Sequence, residues 1–148
     1  MSPLDGVRVL DLSRILAGPT CTQLLGDLGA DVIKVERPSH GDDTRRWGPP
    51  FVPQKDGTPS DESAYYLCAN RNKRSIGIDF CSKEGASLIR RLASRCDVLV
   101  ENYRVGSLAK HGLSFEDLHA DAPRLVYCSI TGFGHTGPRN DQPGYDFL

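Results

Sequence analysis

The sequence predicts an α/β protein with a mainly parallel sheet. Short β-branched runs alternate with stretches of helical period, the first 36 residues already complete a strand-helix-strand unit, and serine, glycine and proline stand at the joints. In chain order, residues 7–12 alternate apolar and polar side chains and read as a strand ending at Ser13 and Arg14. Gly18 and Pro19 then offer an N-cap and an N1 proline to a helix over residues 19–28, closed by Gly29. Residues 31–36 form a second strand through Val32, Ile33 and Val35, and the crossover between the two strands should be right-handed.

Between residues 38 and 63, Pro38, Gly41, Gly48, Pro49, Pro50, Pro53, Gly57 and Pro59 spell out a long loop, of the kind that covers a ligand or a partner subunit. Residues 76–80 read as a short strand. Ser82 caps a helix whose apolar residues Ala86, Leu88, Ile89, Leu92, Ala93 and Cys96 recur at three and four, and residues 98–100 return to strand. Ser114 with Asp117 resembles a capping box for a short helix to about Ala120; beyond Pro123, residues 125–131 form another strand.

The 148 residues fit one ordinary domain, and 25% charged with 39% hydrophobic side chains fit a soluble globular one. Eighteen basic against nineteen acidic residues give a net charge of −1, so no whole-molecule field draws the chain to nucleic acid or an anionic membrane. Any bound anion must be held by a local cluster. The apolar runs fall far short of the roughly 20 residues of a membrane span. Asp5 and Arg8 interrupt any secretion signal, so the expected compartment is the cytoplasm, or the mitochondrial matrix for a trimmed eukaryotic precursor.

Cys21, Cys68, Cys81, Cys96 and Cys128 are odd in number and never spaced as Cys-x-x-Cys, so they read as reduced thiols. His40, His111, His119 and His135 lack ligand spacing, and no metal is expected. The chain stops at Phe147 and Leu148, immediately after a Pro143, Gly144 turn and without a polar tail, which reads as truncation.

Gly132-Phe-Gly-His-Thr-Gly matches the dinucleotide pattern Gly-x-Gly-x-x-Gly, but Pro138 and Pro143 continue a loop where that pattern needs a helix N-terminus. The segment reads instead as a glycine loop whose NH groups can approach a ligand, ahead of Tyr145 and Asp146. Arg14, Arg37, and the trio Asn102, Tyr103 and Arg104 each follow a predicted strand, so an open α/β sheet gathers them on one edge as an anion site. Arg71, Lys73 and Arg74 add three cations, although such a run is more often a solvated face.

Taken together, the blocks Leu4-Asp-Gly-Val-Arg-Val-Leu-Asp-Leu, Ala17-Gly-Pro, Leu25-Gly-Asp-Leu-Gly-Ala-Asp-Val-Ile-Lys-Val-Glu-Arg-Pro, Asn70-Arg-Asn-Lys-Arg-Ser-Ile, Val100-Glu-Asn-Tyr, Ser129-Ile-Thr-Gly-Phe-Gly and Gly144-Tyr-Asp resemble the class III (CaiB/BaiF-like) coenzyme A transferases over residues 4–148. Gly41-Asp-Asp-Thr-Arg and Trp47-Gly-Pro-Pro-Phe look like the branch that includes succinate-hydroxymethylglutarate CoA transferase. The resemblance implies a Rossmann-like sheet, here the N-terminal portion of the larger domain of a two-domain, interlocked homodimer. It implies transfer of coenzyme A from an acyl-CoA to a free carboxylic acid, with CoA a substrate rather than a tightly bound cofactor, and with Asp146 as the nucleophile that passes through an aspartyl anhydride and an aspartyl-CoA thioester.

It further implies CoA contacts at Ile15, Leu16, Ala17, Arg37, Ile78, Phe80, Asn102, Tyr103, Arg104 and Lys110, and an oxyanion or lid loop at Gly132, Phe133 and Gly134. Cys81 departs from the pattern, standing where some members carry a lysine. The family's racemase branch, which usually has Gly-His-Asp where this chain has Gly144-Tyr-Asp, is the first alternative, with His119 a candidate base. A nucleotide-binding module without chemistry is the second.

Overall fold

A computed structural model describes residues 1–145; Asp146, the nucleophile expected from the resemblance, lies outside the described residues. Five parallel strands form the main sheet in the order β5-β2-β1-β6-β7: β1 (Arg8–Asp11), β2 (Asp31–Glu36), β5 (Lys73–Gly77), β6 (Val98–Glu101) and β7 (Val126–Ser129). This is the expected α/β class, and the chain winds outward from β1 in one direction and then in the other. The reversal falls between β1 and β6.

Alternation along each strand sends successive side chains to opposite faces. On one face Leu10, Leu12, Val35 and Leu99 join Ile89 and Ala93 of α3 (Lys83–Ala93) and Leu118 of α4 (Phe115–Asp121) in the larger apolar core. Each such leucine contributes about 1.5–3 kcal/mol by leaving water. The other face, under α1 (Ala17–Asp27) and α2 (Ala64–Asn70), begins with Val9, Val32 and Val100 and becomes charged toward the carboxyl ends of the strands at Asp11, Lys34 and Glu36.

The local caps explain where the helices start. Ser82 Oγ accepts from Gly85 N at 3.0 Å, and Ser114 with Asp117 forms the reciprocal capping box. Gly29, at φ +102°, closes α1 as expected. Three expectations need correction. Helix α1 begins at Ala17, two residues early, because Leu16 rather than Gly18 is its N-cap, and Pro19 sits in the first turn, where a missing NH costs nothing.

The third sheet strand is Lys73–Gly77, not residues 76–80, because buried Lys73 is one of its inward residues and an apolar pattern cannot reveal it. Finally, the proline-rich stretch is not all loop. It holds a short 3-10 turn at Asp43–Arg46 and an antiparallel hairpin of β3 (Phe51–Pro53) with β4 (Pro59–Ser63), which runs directly into α2 as Ser63 Oγ accepts from Tyr66 N.

Candidate functional site

The crevice at the carboxyl ends of β1 and β6 is built around one unusual turn. After β1 the chain passes through Ser13 and Arg14 to Ile15, whose φ of +70° is rare for a β-branched residue and costs on the order of 1–3 kcal/mol unless its surroundings enforce it. Here they do. Asn102, just past β6, accepts from Arg14 N at 2.9 Å and donates to Arg14 O at 2.8 Å. Asp42 accepts from Ile15 N at 3.2 and 3.3 Å, while Lys34 Nζ donates to Ser13 O at 2.9 Å. Arg14 pairs with Asp43 through its guanidinium. Helix α1 then leaves so close to β1 that a Cβ on Gly18 would stand 2.2 Å from Ser13 Cβ.

Behind this turn lies a chain of buried charge. Asp11, fully buried, accepts from Ser13 N and Oγ, from Thr22 Oγ1 at 2.6 Å and from Lys73 Nζ at 3.0 Å. Lys34 and Asp42 pair at 2.9 Å with both side chains about 1% exposed. Burial would raise the Asp42 carboxyl, but the Lys34 ammonium and the hydrogen bonds from Lys34 and Thr44 hold it below the ordinary aspartate value.

Glu36 accepts from Arg45 Nε and Nη2, Tyr66 OH, Ser75 Oγ and Asp42 N. Burial again works against ionisation, yet the Arg45 hydrogen bonds, those of Ser75 and Asp42 and the Arg45 charge hold Glu36 at about 2. Lys73 is pulled down to about 8 by burial, with Asp11 resisting. Every one of these buried charges has a partner, as burial demands.

Two clefts open from the turn and share Arg14, Tyr103 and Ser107. The smaller, about 240 Å³, runs over the ends of β1 and β2 between Arg14, Arg37, Asp43, Ile78, Phe80, Cys81 and His111. Phe80 meets Tyr103 edge-on at 5.5 Å and His111 at 6.0 Å, which gives it an aromatic wall. Burial pushes the Tyr103 phenol up to about 12 despite the nearby charges of Arg14 and Arg37, so the hydroxyl remains a neutral donor. The larger cleft, about 540 Å³, is lined by Ile15, Leu16, Ala17, Trp47, Asn102, Arg104, Gly132, Gly144 and Tyr145. An arginine-flanked aromatic slot thus joins a wider groove across a rigid turn.

The profile of CoA-transferase family III matches residues 4–148. The chain belongs to CoA-transferase family III. It is 55% identical over 148 residues to the succinyl-CoA:glutarate CoA-transferase of Mus musculus, covering 100% of this chain and 32% of that one. Against the succinate–glutarate CoA-transferase of Agrobacterium fabrum (strain C58) it is 55% identical, covering 99% of this chain and 36% of the other. The crystal structure of a CaiB/BaiF family protein from Brucella suis superposes with a TM-score of 0.91 at 56% identity, over 99% of this chain and 38% of that one. The chain therefore spans about a third of the length of the curated relatives it matches.

Within this family member, the residues singled out in the sequence divide between the two clefts. Arg37, Ile78 and Phe80 border the smaller; Ile15, Leu16, Ala17, Asn102 and Arg104 border the larger; Tyr103 borders both. Lys110 borders neither and is exposed on a 3-10 turn. In the glycine segment only Gly132 reaches the groove. Phe133 stacks toward Arg139, and Gly134 N is already donated to Thr131 Oγ1 at 2.8 Å, which leaves it no hydrogen for an oxyanion in this conformation.

Gly132 has a different task. A Cβ there would fall 2.5 Å from Gly144 Cα, so the two glycines pack backbone to backbone and bring Tyr145 to the groove. Sequence reasoning gave no role to Lys34, Asp42, Asp43 or Trp47. The first two sit in stretches that read as strand and loop, and only a contact across the fold reveals their partnership.

Proposed function

We propose that the complete protein transfers coenzyme A from an acyl-CoA to a free dicarboxylate, with succinyl-CoA and glutarate as the first pair to try because relatives at 55% identity carry those names. The observation that carries this reading is Arg37: it borders the aromatic slot, and its guanidinium makes no hydrogen bond or ion pair among the described residues. An arginine fork of that kind suits the phosphates of a nucleotide. Phe80, Tyr103 and Ile78 offer faces for the purine, and Ile15, Leu16 and Ala17 lead the pantetheine toward the wider groove. No helix among the described residues is long and apolar enough to cross a membrane, and no His, Cys, Asp or Glu cluster among them suits a metal.

The chemistry asks for a carboxylate nucleophile at the groove, and Asp146, next after Tyr145, is the candidate this chain offers. The carboxylate oxygen attacks the thioester carbonyl; the C–S bond breaks and CoA thiolate leaves an acyl-aspartyl anhydride. The thiolate then attacks the aspartyl carbonyl, releases the donor acid and forms an aspartyl-CoA thioester. The acceptor carboxylate opens that thioester, and the freed thiolate takes the new acyl group and regenerates the aspartate. Positioning and partial desolvation make so weak a nucleophile effective. Tyrosine at 145, in place of the histidine usual in the racemase branch, favours transfer over proton abstraction at the α-carbon. The assembly proposed with this activity is an interlocked homodimer.

The test is mass spectrometry of the full-length enzyme trapped with succinyl-CoA. A CoA or succinyl adduct on Asp146 is the expected result. An adduct on a carboxylate from the other two thirds of the protein would move the nucleophile and keep the activity. No turnover with any dicarboxylate acceptor would end the transferase reading.

A further inference from the structure

The strained turn between the two clefts is held at both ends by one pair, Lys34 and Asp42, which lies in the floor of the smaller cleft with about 1% of each side chain exposed. Lys34 takes the carbonyl of Ser13; its ion-pair partner Asp42 takes the NH of Ile15; Arg14, which lines both clefts, lies between. Lysine and aspartate are joined at 2.9 Å, so the distance between the two grips is set by the ion pair. Asp42 is in turn fixed by Thr44, whose NH and hydroxyl it accepts at 3.0 and 2.8 Å, and by its own NH to Glu36 at 2.7 Å.

A left-handed isoleucine has no intrinsic reason to stay in that conformation, and a buried ion pair is weak as a source of stability alone. Together they make mechanical sense. The pair supplies a fixed acceptor and a fixed donor at the spacing that the strained turn needs, which relaxed isoleucine backbone would not present.

We propose that Lys34 and Asp42 are positioning residues: their buried ion pair clamps the strained Ser13–Arg14–Ile15 turn in the conformation that receives an acyl-CoA. This rests on the CoA-transfer reading of the clefts. The clamp acts on binding, because the residues it arranges line the path assigned to CoA rather than the carboxylate that reacts.

The test uses the full-length enzyme with CoA and succinyl-CoA. Calorimetry first establishes that the unaltered enzyme binds CoA; failure there overturns the cleft assignment and not merely the clamp. Asp42→Asn is then expected to weaken CoA binding and raise KM for succinyl-CoA tenfold or more, with kcat at saturation within threefold. A general loss of folded protein would instead lower kcat and leave KM alone.

Adding Ile15→Gly, which adopts positive φ without strain, is expected to recover at least threefold of the lost affinity in the Asp42→Asn background. In the otherwise unaltered enzyme it should give no such gain. Should Asp42→Asn not fold, Asp42→Glu retains the charge, displaces the grip by one methylene and reads the same coupling. Unchanged KM in the folded aspartate variant, or simple additivity with Ile15→Gly, would overturn the proposal.

Discussion

The two faces of the sheet solve different problems with the same strands. Under α3 and α4, Leu10, Leu12, Val35 and Leu99 make an ordinary apolar core. Under α1 and α2, one residue along each strand, Asp11, Lys34 and Glu36 are as deeply buried, each tied to a charged partner. The apolar face stabilises without directing anything. The charged face is directional: each pair fixes an angle and a distance, and those fixed points lie where the chain turns from strand into cleft. Buried charge is a poor substitute for leucine where only stability matters, so its concentration at the carboxyl ends of β1 and β2 marks where geometry is needed.

Removing one partner on the charged side should have the largest effect. Lys34→Met leaves Asp42 buried without its cation and is expected to cost about 3–5 kcal/mol. Chemical denaturation of the full-length protein measures it, and a cost under about 1 kcal/mol would mean that the pair is solvated in practice. On the apolar side, Leu99→Ala should cost about 2–5 kcal/mol through lost burial and a cavity. The contrast lies in function: the folded Leu99→Ala enzyme should keep its KM for acyl-CoA, and a KM as disturbed as that of the clamp variants would erase the distinction between the faces.

Acid separates the faces without mutation. Glu36, held at about 2 in the fold against an ordinary value of 4.5, contributes stability that is fully present above about pH 4.5 and lost as pH falls toward 2. The difference amounts to about 3 kcal/mol at 1.36 kcal/mol per unit. Replacing Glu36 by Gln should flatten that part of the stability profile, and an equally steep acid limb in the variant would assign it to other carboxylates. Smallest of all, Ser114→Ala removes one side of the α4 capping box and should cost about 1 kcal/mol in a melting experiment, with no change at either cleft.

What could be read from the sequence follows the same division. The apolar periodicity of β1, β2 and α3 and the capping signals at Ser82 and Ser114 were legible because each is local. The start of β5 was missed because Lys73 points into the protein, and a pattern of apolar residues has no symbol for a lysine that meets a buried aspartate 62 positions away. Helix α2 is hidden for a related reason: the prolines before Ser63 make the stretch resemble loop, and the Ser63 cap shows only in the fold. At the site, Arg14, Arg37 and Asn102 to Arg104 could be placed on one edge from topology alone. Lys34 and Asp42 could not, since their role exists only across a contact between strand and loop.

Arg37 offers the most direct test that the edge of the charged face is a CoA site. Titration of the full-length enzyme with CoA, comparing Arg37→Ala with Arg91→Ala as an exposed control on α3, measures that claim by calorimetry. At least tenfold weaker binding is expected for Arg37→Ala, with an affinity less sensitive to salt, and no change for Arg91→Ala. Equal CoA affinity for both variants and the unaltered enzyme would contradict that claim.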